Sequence, residues 1–150
     1  MPTLPLFAFG TLRRGECNHH YLAGRYDRVL PARLPDFARV EPLMIARQSG
    51  STVDGELFFL TSATYSATLQ GCDFLEELPP GELIGPEYRR IVVRVQTDSG
   101  EFVAWAYSNP VTHTAEDLQP LIDTETERLR NPPPQQPRDP LHFDRRPDLQ

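Results

Sequence analysis

The sequence predicts an α+β domain built around a twisted or closed sheet. Three observations carry that prediction. Most of the chain divides into short apolar or alternating segments bounded by Gly, Pro, Asn and Asp, the pattern of strands joined by turns. Only two stretches, one central and one late, change to helical periodicity, so helices do not alternate regularly with strands as in a parallel sheet. The length of 150 residues is that of one domain, able to bury roughly two-thirds of its unfolded surface.

Each element follows from local pattern. Leu4-Pro5-Leu6-Phe7-Ala8-Phe9 is apolar and aromatic and stops at Gly10, which reads as a buried strand entering a tight turn. Gly10 to Gly15 is a polar loop, and Asn18 caps a helical turn through Leu22. Between Tyr26 and Arg47, Pro31, Pro35 and Pro42 divide the chain into short extended pieces, and Gln48-Ser49-Gly50-Ser51 reads as a turn. Glu56-Leu57-Phe58-Phe59-Leu60 is a second clear strand. Thr61-Ser62 then caps a helix reaching to about Leu78, with Tyr65, Leu69 and Cys72 at spacings of four and three and Pro79-Pro80 as the stop. Tyr88 to Val95 alternates, with Arg90, Val92 and Arg94 on one face and Arg89, Ile91, Val93 and Val95 on the other. Asp98-Ser99-Gly100 turns the chain into a hairpin partner, Glu101 to Tyr107. Thr114 to Arg130 is helical, capped by Thr114, with Glu116 and Asp117 in its first turn. Residues 1–130 thus form the domain. Residues 131–150 hold six of the 16 prolines and read as a disordered or polyproline tail.

Composition excludes several chemistries. All 15 basic residues are arginine, so no lysine is present to form a Schiff base. Two cysteines, Cys17 and Cys72, do not make a disulfide scaffold. The opening MPTLPLFAFGTLRRGE lacks the features of a signal peptide, and no apolar run approaches the roughly 20 residues of a membrane span. A net charge of −6 argues against nucleic acid as a partner. The expectation is a soluble, cytoplasmic domain acting on a small molecule. His19, His20, His113 and His142 lack ligand spacing, so no metal is expected; no phosphate loop and no serine-nucleophile signature suggests a cofactor or acyl-enzyme chemistry. Cys72, on the apolar side of its helix, reads as a buried structural thiol.

Two segments remain. Phe9-Gly10-Thr11-Leu12-Arg13 ends a strand in Gly and a small hydroxyl residue, where successive backbone N–H groups can form an anion-binding concavity with Arg13 nearby. The alternative is an ordinary turn. Asp73 and Glu76 lie three apart near a helix C-terminus, on the face that carries Leu69 and Cys72. Dipole and desolvation both disfavour a charged carboxylate there, which suits proton transfer near neutrality. The alternative is a solvated acidic turn.

Together these segments resemble the gamma-glutamylcyclotransferase-like family. Its opening Tyr-Gly-Ser/Thr-Leu stands here as Phe9-Gly10-Thr11-Leu12, with Phe9 in place of the tyrosine and Asn18-His19 continuing the similarity. Val53 to Phe58 resembles its Gly-Glu-Leu-Tyr strand, with Phe58 for tyrosine, and Leu69 to Glu76 its Asp-x-x-Glu helix end, with Cys72 where leucine is common. Tyr88-Arg89-Arg90 and Ala104-Trp105-Ala106-Tyr107 match two later strands, so the resemblance covers about residues 4 to 110.

The resemblance implies a small, mostly antiparallel β-barrel with flanking helices and a cavity at one end. It implies a substrate bearing a carboxylate, a γ-glutamyl amine, bound by Phe9, Gly10, Thr11, Leu12, Arg13, Tyr88 and Tyr107, with the Gly10, Thr11 and Leu12 amides on its α-carboxylate. Glu76 is implied as the single catalytic acid/base, closing the γ-glutamyl group to 5-oxoproline and releasing the amine without a cofactor or metal. A homodimer is left open. Two other readings stay beside this one: the same glutamate serving another acid/base cyclisation or elimination in a biosynthetic pathway, and a non-catalytic binding module. The last requires Glu76 to be solvent-exposed with no cavity beside it.

Overall fold

A computed structural model describes residues 3–131. The proline-rich segment read as a tail therefore lies, Asn131 excepted, outside the described residues. Five strands form a closed barrel: β1 (Leu6–Ala8), β2 (Tyr26–Glu41), β3 (Met44–Leu60), β4 (Arg89–Thr97) and β5 (Gly100–Ser108), in the order β1-β3-β2-β4-β5. A closed ring of five cannot be antiparallel at every seam. The one parallel seam is β5 to β1, through Leu6 and Trp105, so the barrel is mixed but mostly antiparallel, as predicted. Two helices flank it, α1 (Tyr65–Leu75) and α2 (Gln119–Arg130). No helix among the described residues is long and apolar enough to cross a membrane.

Strand alternation divides the core in two. Phe7, Phe9, Ala32, Leu34, Phe37, Ile45, Val53, Leu57, Ile91, Val93, Val95, Ala104 and Ala106 form a cluster drawn from β1 to β5 and the residue after β1, which fills the barrel. The neighbouring positions Leu6, Ala8, Phe58, Val92, Trp105 and Tyr107 point outward and are covered by Leu69, Cys72 and Ile122 of the helices. Each fully buried Leu, Phe or Ile contributes roughly 1.5–3 kcal/mol, so both faces of the sheet are needed for stability. Gly55 lets β3 approach β1 closely: a Cβ there would sit 2.4 Å from the Ala8 carbonyl oxygen.

The prolines do not divide the region from Tyr26 as expected. Pro31 and Pro35 lie inside the 16-residue β2, and Pro42-Leu43 is the two-residue connection to β3. They are tolerated because β2 meets β4 through one residue pair, Arg33 with Gln96, leaving an almost open edge where missing N–H donors cost little. Residues 48–51 are not a hairpin end but an outward excursion within β3, between the pairs Pro35–Thr52 and Phe37–Arg47. Asp36 sits opposite with φ 64° and accepts the Gly50 amide at 3.0 Å, an αL position that a short polar side chain can stabilise.

The helices also differ from expectation at their ends. None of the predicted caps, Asn18, Thr61, Ser62 or Thr114, makes a side-chain capping bond. Asn18 Nδ2 instead donates to the Thr11 hydroxyl at 2.9 Å, and the Thr114 hydroxyl accepts the Val92 amide at 3.0 Å. Short 3₁₀ turns, Ser62–Thr64 and Glu116–Leu118, lead into α1 and α2. The central helix stops at Leu75 rather than near Leu78. Its terminator is a Schellman motif: the Leu78 amide donates to the Asp73 carbonyl at 2.9 Å and the Glu77 amide to that of Phe74 at 3.0 Å. Glu77 takes the αL conformation, φ 64°, that usually falls to glycine. This stop fixes the position of Glu76.

Candidate active site

Two chain reversals meet at one end of the barrel. The first is the loop after β1. Its outer part is tied to β3 by Arg14, whose amide and Nε donate to the Glu56 carboxylate at 2.9 and 3.0 Å. Every carbonyl from Phe9 to Leu12 is engaged. Arg39 donates to that of Phe9, the amide and Nε of Arg13 donate to Gly10 at 3.2 and 3.0 Å, and the Asn18 amide donates to Thr11 at 2.9 Å. His19 Nδ1 lies 2.9 Å from the Leu12 carbonyl, which can only accept, so the ring proton belongs on Nδ1; Nε2 then accepts from the Tyr26 hydroxyl at 3.2 Å. By contrast, the amides of Gly10, Thr11 and Leu12 find no acceptor among the described residues. Three adjacent free donors are what an anion-binding concavity requires.

The second reversal is the end of α1. Asp73 and Glu76 share its inner face and have opposite surroundings. Asp73 accepts two bonds from Arg90, both at 2.9 Å, and one from the Tyr107 hydroxyl at 2.5 Å. Arg90 is 1% exposed, also bonds Glu125 at 3.1 Å, and lies with Cζ 4.4 Å from the centre of the Trp105 ring. Burial works against the guanidinium charge, but Asp73, Tyr107 and Glu125 outweigh it and hold Arg90 protonated. Glu76 takes part in no ion pair among the described residues. Burial, with the charges of Asp73 and Glu77 adding to it, pushes its carboxyl up to about 7.

A pocket of about 340 Å³ joins the two reversals. Phe9, Gly10, Thr11, Leu12, Glu76, Tyr88 and Tyr107 all line it, so seven of the eight residues singled out from the sequence come together. Arg13 does not reach it; its side chain turns back onto the Gly10 carbonyl. Tyr107 contributes a hydroxyl already committed to Asp73, and burial, followed by Asp73, raises it well above the usual tyrosine range. The Tyr88 hydroxyl donates to the Leu43 carbonyl at 2.6 Å, and burial with the nearby Glu76 pushes it up to about 12. Both tyrosines are therefore neutral walls. Cys72 is buried behind the site, its thiol pushed up to about 12 by desolvation, which agrees with a packing role.

Sequence reasoning missed several contributors. Leu43 closes over the loop, its Cδ2 3.4 Å from where a Gly10 Cβ would stand, and Cys17, Glu77 and Glu87 also line the pocket. Leu43 had a signal, an apolar residue in a two-residue turn with nothing local to pack on. Gly85 supports the site from behind: a Cβ there would lie 2.8 Å from the Glu77 carbonyl oxygen, so only glycine fits against the Schellman turn.

A small mixed barrel with an amide-lined turn and, in the same pocket, a half-buried unpaired carboxyl pushed up to about 7 defines a class of site. It is suited to binding a small carboxylate-bearing molecule and moving a proton on it. Comparison with known proteins gives that class its family. The family model for gamma-glutamyl cyclotransferase, AIG2-like, matches residues 6–126. A protein of Vibrio cholerae serotype O1 named "Putative gamma-glutamylcyclotransferase" is 33% identical over 124 residues, covering 79% of this chain and 90% of its own. Among solved structures, YkqA from Bacillus subtilis is similar with a TM-score of 0.56 and 21% identity over 81% of this chain, which spans 42% of YkqA. The solution structure of At5g39720.1 from Arabidopsis thaliana gives 0.52 and 18% over 83% of this chain and 85% of its own. At those identities the two structures establish the fold alone. The chain belongs to the gamma-glutamyl cyclotransferase, AIG2-like family, and an activity of the gamma-glutamylcyclotransferase kind follows from that membership.

Proposed function

We propose that the protein cleaves γ-glutamyl amines by intramolecular cyclisation, with Glu76 as the single acid/base group. The observation that carries the reading is the pairing, in one pocket, of three free amides at Gly10, Thr11 and Leu12 with an unpaired carboxyl pushed up to about 7. The substrate's α-carboxylate accepts from the amides. Its α-ammonium group then gives a proton to ionised Glu76, and the freed amine attacks the γ-carbonyl carbon. A carbon–nitrogen bond forms in the five-membered ring while the bond to the departing nitrogen breaks. Glu76 returns its proton to that nitrogen. It then takes the second proton shed by the ring nitrogen, which becomes the lactam N–H, and passes it to the departing amine. The amine leaves as its ammonium ion, and Glu76 is ionised again. The products are 5-oxoproline and an amine, and no water is consumed.

The chemistry asks little of the protein. Ring closure is intramolecular, so holding the chain folded supplies much of the rate through proximity. A carboxyl with a pKa near the working pH is both a competent base and a competent acid in one cycle. The apolar walls, Phe7, Phe9, Leu12, Leu43 and Leu75, limit water around that exchange. Glu76 is partly buried beside a cavity, which runs against the reading as a binding module without chemistry.

The test is to incubate the purified protein with a panel of γ-glutamyl amines and measure 5-oxoproline by mass spectrometry. Release of 5-oxoproline in equal amount with free amine is expected. Absence of 5-oxoproline across the panel, with free glutamate or no product instead, would overturn the proposal and favour another acid/base reaction at Glu76.

A further inference from the structure

The carbonyls from Phe9 to Leu12 are held from different places. Arg13, Asn18 and His19 belong to the loop or follow it closely, so they move with what they hold. Arg39 is the exception. It stands on β2, 30 residues along the chain, and its Nη2 donates to the Phe9 carbonyl. The guanidinium is itself fixed: Nη1 donates to the Pro42 carbonyl at 2.7 Å, and Cζ lies 5.3 Å from the centre of the Phe9 ring. One side chain thus ties the start of the loop to the β2–β3 turn that carries Leu43, which covers Gly10 from above.

The Phe9 carbonyl and the Gly10 amide are two ends of one peptide group. A hydrogen bond to the oxygen draws electron density from the nitrogen, so its N–H becomes a stronger donor, and a cationic donor does this about twice as strongly as a neutral one. The Gly10 amide is the first of the three free donors. Arg39 does not line the pocket, so it reaches a bound ligand only through this peptide and through its field. We infer that Arg39 is a positioning residue for substrate binding, holding the Phe9–Gly10 peptide so that the Gly10 N–H receives the substrate's α-carboxylate. The inference rests on the carboxylate-binding role proposed above for the Gly10–Leu12 amides.

The test is a cycle between residue and substrate. Steady-state constants are measured for the unaltered protein, Arg39→Gln and Arg39→Lys, with a γ-glutamyl amine that the protein turns over and with the analogue whose α-carboxylate is a primary amide. With the carboxylate substrate, Arg39→Gln is expected to raise KM about fivefold to tenfold while kcat changes less than about twofold, as for loss of one charge-assisted bond felt equally in ground and transition states. Arg39→Lys, which keeps the charge without the two-pronged grip, should fall between. With the amide analogue, all three proteins should agree within about twofold. Equal losses on both substrates would overturn the inference, since they mark a general structural effect; so would an unchanged KM on the carboxylate substrate. If the unaltered protein already handles both substrates alike, the carboxylate-binding role of the amides fails, and the inference fails with it. Should Arg39→Gln not fold, Arg39→Lys decides by the same comparison.

Discussion

Asp73 and Glu76 are carboxylates one helical turn apart, on the same face of the same helix end, and they stand in opposite surroundings. Asp73 is held by a buried arginine and a buried tyrosine and does not line the pocket. Glu76, three residues on, lies just past the last helical residue, where no cation reaches it among the described residues and burial favours its neutral form. Glu125 makes the same point from the other helix. Burial would raise it too, but Arg128 and Arg90 outweigh burial and hold it below the usual range. What separates Asp73 and Glu125 from the proposed proton carrier is whether an arginine stands beside the buried carboxylate, and residue type and spacing do not reveal it.

The most severe way to break the contrast is to remove the ionisable group proposed to move the proton. Glu76→Gln keeps the shape of the side chain and should reduce turnover of γ-glutamyl amines by about 10²–10⁴-fold, with an unchanged circular dichroism spectrum. More than a tenth of the activity remaining would take the acid/base role away from Glu76. Breaking the other half should instead damage the fold. Arg90→Ala leaves Asp73 and Glu125 as neighbouring carboxylates without their shared cation, at a cost of about 3–5 kcal/mol in urea denaturation. A loss below about 1 kcal/mol would mean that water replaces the guanidinium freely.

The same contrast has a pH signature of opposite sign. The Glu76 carboxyl titrates near 7 in the folded protein and near its ordinary 4.5 when unfolded, so between those values the folded state holds the extra proton. Stability therefore falls as pH rises through that window and levels off above it. Glu76→Gln removes the penalty. It should make the protein more stable than the parent at pH 8, by on the order of 2 kcal/mol, and no more stable at pH 4. Thermal unfolding of the two proteins at both pH values measures this, and equal stability at pH 8 would contradict the raised value.

Much of this arrangement was legible in the sequence, and the remainder was hidden for physical reasons. The strands from Leu6, Glu56, Arg89 and Glu101 and the shared face of Asp73 and Glu76 are periodic signals, which depend only on neighbours along the chain. The free amides after Phe9 were suggested by a strand ending in Gly-Thr. By contrast, the partners that decide each role come from far away: Arg90 lies 17 residues from Asp73, Glu125 lies 35 from Arg90, and Arg39 lies 30 from Phe9. No local pattern carries such contacts. The proline reading of β2 failed for a related reason, because whether a proline breaks a strand depends on which neighbour its missing N–H would have faced.

The smallest effect lies at the turn that places Glu76. Glu77 is αL, a conformation that costs a residue with a Cβ roughly 1–2 kcal/mol and costs glycine almost nothing. The Schellman bonds from Glu77 and Leu78 are made by the backbone, so glycine preserves them. Glu77→Gly should therefore stabilise the protein by about 1 kcal/mol. It also removes one of the two negative charges that raise Glu76, so the Glu76 carboxyl should titrate at lower pH. With ionised Glu76 as the proposed base, the rising limb of kcat/KM against pH should move to lower pH by up to about one unit. The two readouts separate the two roles of this position. A gain in stability with a fixed pH limb would mean that Glu77 serves only the turn. A shifted limb without added stability would mean that the αL strain is already offset by contacts of the glutamate side chain. Both changes together are expected, because the residue that turns the chain after the helix is also the charge nearest along the chain to the proposed proton carrier.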